Sequence, residues 1–178
     1  MKKTNFLCTY LVEGECEIKL IKELKNKNLI IPGKVNKFNT VQDDITPNFL
    51  RMQDQTKDKI FVLIFDLDVL NNPQNNIELI KSRILNNIKK LKMKKTSIVV
   101  IPQNKNLEDE LLKSTTAKDI TKILNCKSKK DWKSCMIATN NLYGALQKVE
   151  FDFNKLWDSP LPTWLNNSCF SSTKIKIR

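Results

Sequence analysis

Apolar and polar positions change rhythm several times along the chain, and each change marks an element. Phe6 to Val12 (FLCTYLV) is apolar, aromatic and β-branched, which predicts a strand ending at Glu13-Gly14. The next stretch, ECEIKLIKELKNK, spaces Ile18, Ile21 and Leu24 helically, with lysines on the other face. A short second strand is expected from Leu29 to Ile31, continuing around Val35 to Val41, and residues 42 to 58 are polar and without a clear period. Ile60 to Phe65 (IFVLIF) is continuously apolar, the mark of a central strand covered on both faces. After Pro73, the apolar positions Ile77, Ile80, Ile84, Leu85, Ile88 and Leu91 predict a helix over 77–91. Ser97 to Ile101 (SIVVI) reads as another buried strand, closed by Pro102.

Strand and helix alternating around buried central strands predict an α/β fold with a mostly parallel sheet flanked by helices. Beyond Asn106 the rhythm becomes helical: Leu107 to Lys113, Ala117 to Leu124 and Lys130 to Leu146 read as helices, followed by a tail containing tryptophan and proline. The organisation expected is a core over residues 1–113 and a helical extension over 114–178 packed on it.

Composition narrows the chemistry. The 178 residues contain no histidine, which excludes Ser-His-Asp and Cys-His catalysis, HExxH zinc sites and haem ligation by imidazole. The only glycines are Gly14, Gly33 and Gly144, so there is no Gly-rich phosphate cradle of the P-loop or dinucleotide type. The formal charge of +12 suits an anionic partner, nucleic acid first. That charge is almost all lysine, however, with only Arg51, Arg83 and Arg178 to offer bidentate phosphate contacts. Cys8, Cys16, Cys126, Cys135 and Cys169 are odd in number and form no Cys-x-x-Cys pair, so they read as buried small hydrophobes rather than disulfides or zinc ligands. The opening MKKTNFLCTYLVEG does not read as a signal peptide, and the longest apolar run is too short to span a bilayer. A cytoplasmic protein with no membrane association is expected.

Carboxylates collect where the strands end. In open parallel sheets, sites form outside the carboxyl ends of the strands. The first strand ends at Glu13, with Glu17 four residues on, and the central strand ends in Asp66-Leu67-Asp68. The third long strand runs into IPQNKNLEDE, which presents Glu108, Asp109 and Glu110. Asp66 and Asp68 would point the same way in an extended segment, and Glu13 and Glu17 would share a face if a helix began there. Each acid alone is explained by helix capping or a turn. Three strands delivering acids to one edge call for a cation, and hard oxygen donors suit Mg²⁺ or Mn²⁺.

These residues carry a resemblance. The strand-then-Glu-Gly start (YLVEGECE), the apolar strand ending in Asp-x-Asp (LIFDLD) and the later NLEDE resemble the TOPRIM domain over about residues 5 to 113. That domain is shared by topoisomerases, bacterial primases, the ribonuclease that matures 5S ribosomal RNA, and OLD-type defence nucleases. The resemblance implies a Rossmann-like sheet binding Mg²⁺ through Glu13, Asp66 and Asp68, with Glu17 and Glu108 similar to further acids of the OLD-type nucleases. Tyr10 sits inside the first strand and Tyr143 is the only other tyrosine, which argues against topoisomerase chemistry. The length leaves no room for the further domains of a primase. The OLD-type nucleases usually carry an ATPase, which here would have to be a separate subunit.

Among the lysines, Lys133 in KSKKDWKSCMI stands out as a residue that could balance transition-state charge, with a solvated surface role as its plain alternative. Lys89, Lys90, Lys92, Lys94 and Lys95 could track a phosphate backbone or form an ordinary solvated face. Trp132, Trp157 and Trp164 could stack bases, with packing as the default. The function expected is Mg²⁺-dependent endonuclease activity, in phage defence, with Glu13, Asp66, Asp68, Glu108 and Lys133 as the catalytic set. Two alternatives stay open: a non-catalytic TOPRIM-fold subunit binding nucleic acid or a partner ATPase, and an RNA-processing ribonuclease.

Overall fold

The computed structural model describes residues 6–54, 56–165 and 171–177. Four parallel strands form one sheet in the order β2-β1-β3-β4: β1 (Phe6–Val12), β2 (Lys34–Lys37), β3 (Asp58–Asp66) and β4 (Thr96–Gln103). The fold is α/β with an all-parallel sheet flanked by helices, as the alternation predicts, and it is consistent with the Rossmann-like sheet that the resemblance implies. Period-2 alternation divides the core into two layers. Tyr10, Val12, Val62, Ile64, Val99 and Ile101 face one side. There they meet Leu20, Ile21 and Leu24 of α1 (Glu15–Asn26). Leu11, Phe61, Leu63, Phe65, Ile98 and Val100 face the other side, against Ile84, Ile88 and Leu91 of α3 (Ile77–Leu91). Each of these three α3 side chains is at most 2% exposed and contributes about 1.5–3 kcal/mol by leaving water.

The sequence-based boundaries shift in several places. Leu29–Ile31 does not extend the sheet; Ile30 instead forms an isolated antiparallel bridge with Lys176. The sheet's second strand is only Lys34–Lys37, a short and mostly exposed edge. The polar stretch 42–58 contains a short helix, α2 (Pro47–Arg51), started by Thr46 as N-cap and Pro47 at its first turn. β4 runs through Pro102 to Gln103, because β4 is an edge strand and tolerates a missing N–H.

After β4 comes α4 (Leu107–Lys113), and the stretch beyond residue 113 holds α5 (Ile120–Leu124), α6 (Trp132–Ala138) and α7 (Leu142–Gln147). The expected helix over Lys130–Leu146 is broken because Asn141 caps α7, its side chain accepting from Gly144 N–H. The expected helix from Ala117 starts only at Ile120, where Asp119 caps α5. Ile120, Ile123, Trp132, Met136, Leu142 and Leu146 belong to the same buried cluster as α1 and the sheet. Cys8 and Cys16 are buried, Cys126 and Cys135 are half-buried, and Cys169 lies outside the described residues. Among the described residues no helix is long and apolar enough to cross a membrane.

Candidate functional site

From β1 the chain passes through α1 to β2 on one side, then crosses to β3 on the other side of β1. The strand order therefore reverses between β1 and β3, and a crevice opens at their carboxyl ends. Glu13 follows the last residue of β1, and Asp66 is the last residue of β3. A cavity of about 170 Å³ lies beside them, lined by Gly14, Glu17, Asp66, Glu108, Trp132 and Lys133 among others.

The carboxylates here act on one another. Burial first, then the charges of Glu17 and Asp68, push Glu13 up to about 7. Asp66 is raised to about 8 by burial, followed by Glu13, Glu17 and Asp68. Glu17 is raised too, chiefly by burial. The Lys133 charge works in the opposite direction on both Glu17 and Asp66, so α6 brings that ammonium within electrostatic reach of the acids. Glu13, Glu17, Asp66 and Asp68 thus form one coupled set, with Lys133 exposed at its rim.

The local reasons differ from those the spacing suggested. The extended segment stops at Asp66, and Asp68 opens a 3₁₀ turn over Asp68–Asn71, so the two do not share a strand face. Glu13 precedes the helix instead of standing one turn before Glu17 within it, since Gly14 is the N-cap of α1. Glu17, at the third helical position, folds back so that its carboxylate is stabilised by the N–H groups of Gly14 and of Glu17 itself. Glycine leaves this carboxylate its place: a Cβ at position 14 would stand 2.8 Å from Glu17 Oε2 and make the Glu17 side chain shift.

The three acids of α4 separate. Glu108 lines the cavity and accepts a hydrogen bond from the Trp132 indole N–H. Asp109 turns outward to Lys105 at 3.6 Å. Glu110 is 1% exposed and turns inward, accepting from the backbone N–H of Trp157 at 3.1 Å and of Asn104 at 3.5 Å. It ties the tail to the core and is not part of the site. Trp132 and Trp157 are each only 3% exposed, so packing, not base stacking, is their role, although the Trp132 edge also lines the cavity. The basic run Lys89–Lys95 lies elsewhere. Lys95 O accepts from Lys59 N–H at the start of β3, whereas Asp66 pairs with Gln103 at the other end. Seven residues of strand put about 23 Å between the two levels.

The residues suit a hard divalent cation in chemistry. All the donors are carboxylates, and burial and mutual repulsion, which a cation would relieve, hold the protons of Glu13 and Asp66 on. Glu13 Oε1 is buried with no hydrogen-bond partner, as are both polar atoms of the Gln103 side chain, which sits next to Asp66 in register. Among the described residues no three acids stand as a preformed cage. Closing the set around an ion would require side-chain rotation, and Glu17 and Glu108 already have partners. Gln103 was not singled out from the sequence, because its position one strand over from Asp66 becomes visible only with the register. No family model, curated protein or solved structure matches the chain.

Proposed function

We propose that the chain is a metal-dependent nuclease of the TOPRIM type, cleaving nucleic-acid phosphodiester bonds at the β1–β3 crevice with Mg²⁺ or Mn²⁺. The observation that supports it most is the coupled set Glu13, Glu17, Asp66 and Asp68 at the strand-order reversal, with an unpartnered Glu13 oxygen inside it. Glu13, Asp66 and Asp68 are the residues that would hold the ion. Once bound, a divalent ion supplies Lewis-acid activation of the phosphodiester and of water, which requires no imidazole base. Lys133 would balance negative charge building on the phosphate from the rim of the cavity. Glu108, fixed by Trp132, would orient the attacking water or support a second ion. Glu17 would hold the first turn of α1 against the crevice through its backbone contacts while adding negative charge beneath Asp66.

The test is hydrolysis of single- and double-stranded DNA and of RNA with Mg²⁺ or Mn²⁺, comparing wild type with Asp66→Ala. A rate that depends on the ion and on Asp66 is expected; equal rates, or no ion dependence, overturn the proposal. The engagement of Glu17 with the α1 N-terminus and of Glu108 with Trp132 favours a second reading, a non-catalytic TOPRIM-fold subunit that binds nucleic acid or a separate ATPase. It expects no turnover, and binding that survives Asp66→Ala.

A further inference from the structure

Lysines are unevenly spread around the carboxylate pocket. The span from Ala117 to Lys133 has six lysines against only Asp119 and Asp131. Three of them, Lys127, Lys129 and Lys130, sit exposed on the loop between α5 and α6. That loop leads directly into Trp132 and Lys133, which line the pocket. A neighbouring cleft of about 240 Å³ shares Asn106, Glu108 and Trp132 with the pocket and is walled by Lys118, Asp119 and Lys129. The two clefts adjoin at Asn106, Glu108 and Trp132, with the acids on the side of the first and Lys118 and Lys129 on the side of the second.

Pairing around the clefts decides which charges are available. Asp109 is matched by Lys105 at 3.6 Å and Asp119 by Lys129 at 3.2 Å. Lys118, which lines the second cleft, and Lys127 and Lys130, exposed on the loop beside it, have no carboxylate within 4.0 Å among the described residues, so their charge is open to a ligand. The loop is also ordered before any ligand arrives. Asn125 takes the left-handed conformation that ends α5, and Cys126 N–H bonds to Thr121 O at 2.9 Å. Ser128 Oγ donates to Asp131 Oδ2 at 2.7 Å, and Asp131 N–H returns to Ser128 O at 3.2 Å. An ordered loop loses little entropy on binding. Lysines are compact point charges that accept backbone phosphates without regard to base sequence.

We propose that this loop is the phosphate clamp of the carboxylate pocket, with Lys127 and Lys130, backed by Lys118, gripping backbone phosphates of a nucleic-acid strand beyond the one at Asp66. The inference rests on the nuclease reading above and gives the helical extension its task. It also sets aside the more conspicuous run Lys89–Lys95, which lies at the opposite edge of the sheet.

The experiment measures binding of a fluorescein-labelled oligothymidylate to the full chain by anisotropy, in EDTA, across a salt series. Each neutralised lysine should make the log–log salt slope shallower by about 0.7, so K127Q/K130Q should lose about 1.4 in slope. Extrapolated over the decade to 1 M, where the counterion contribution vanishes, that is about 25-fold weaker binding near 0.1 M salt. K92Q/K94Q, at the far edge, should stay within about twofold of wild type under the same conditions. Equal losses in the two double variants, or no loss in K127Q/K130Q while the wild type binds, overturn the clamp and leave the nuclease reading standing. A wild type that neither binds the oligonucleotide nor cleaves nucleic acid with Mn²⁺ overturns both.

Discussion

Replacing Asp66 by Asn removes the most strongly perturbed acid in the crevice at almost no change in shape. Moving its carboxyl from the ordinary 3.8 to about 8 corresponds nominally to about 6 kcal/mol of unfavourable interaction in the ionised state. Asp66 is partly open to solvent and shares its repulsion with Glu13 and Glu17, so a single substitution should recover only about 2 kcal/mol. The folded value lies above the unfolded one. Native Asp66 therefore keeps its proton where the unfolded chain has already lost it, and this group's contribution to stability declines as pH rises from about 4 to about 8, then levels. Asparagine does not titrate. In EDTA, the melting temperature of Asp66→Asn should nearly match wild type at about pH 4.5 and exceed it by about 4–8 °C at about pH 8.5. Thermal denaturation followed by circular dichroism at a series of pH values measures this directly. A variant less stable than wild type at the alkaline end, or a difference that does not grow with pH, would refute the account of a crevice strained by its own charges.

Ion binding should show the same protons. Glu13 and Asp66 must both deprotonate to hold Mn²⁺, so apparent affinity should climb by up to about 100-fold per pH unit below 7 and flatten above about 8; calorimetry that finds equal affinity at both ends rules this out. Trp132→Phe keeps most of the ring's packing but removes the N–H that Glu108 accepts, and should cost about 1 kcal/mol in urea denaturation while slowing any nuclease turnover. An unchanged rate would show that Glu108 needs no positioning. Asn87 is fully buried, accepting from Ile45 N–H at 2.8 Å and donating to Asp43 O at 2.8 Å and Thr40 O at 3.3 Å. Asn87→Leu should cost about 3 kcal/mol in the same measurement, because it orphans buried backbone groups of the 40–45 loop, and a loss below about 1 kcal/mol would mean that the loop holds itself.

What could be read from the chain follows from where each signal is stored. β1, β3, α1 and α3 were legible because each buries a long apolar face whose period stands out locally. β2 was legible only in part: Val35 lies in the expected second strand, but the bounds were missed because KVNK is an edge strand with one apolar residue, held by pairing with β1. The break between α6 and α7 was hidden by helically spaced apolar residues on both sides, although Asn141 before Leu142 is an N-cap signal. In the site, residues ending strands fell together because a parallel sheet places strand ends at one edge. The fate of Glu110 could not be seen locally. Its partner is the backbone of Trp157, brought close only when the tail packs, so an acid adjacent in sequence to the pocket became a structural tie.

The antiparallel bridge between Ile30 and Lys176 has a consequence for the order of folding. Ile31 N–H bonds to Ile175 O at 3.0 Å and Ile177 N–H to Leu29 O at 2.8 Å, while the Lys176 ammonium gathers the carbonyls of Phe153, Asn154 and Leu156. One short segment thus fastens the turn that follows β1–α1 to the segment that follows α7. Loop closure over so much chain is slow and gains nothing until the sheet beneath it exists. The sheet and α1 should therefore form first, with the segment Ser171–Ile177 closing over them as a late latch. Hydrogen exchange should find that latch opening at lower free energy than the central strands, giving the molecule a region of early unfolding far from its carboxylate edge.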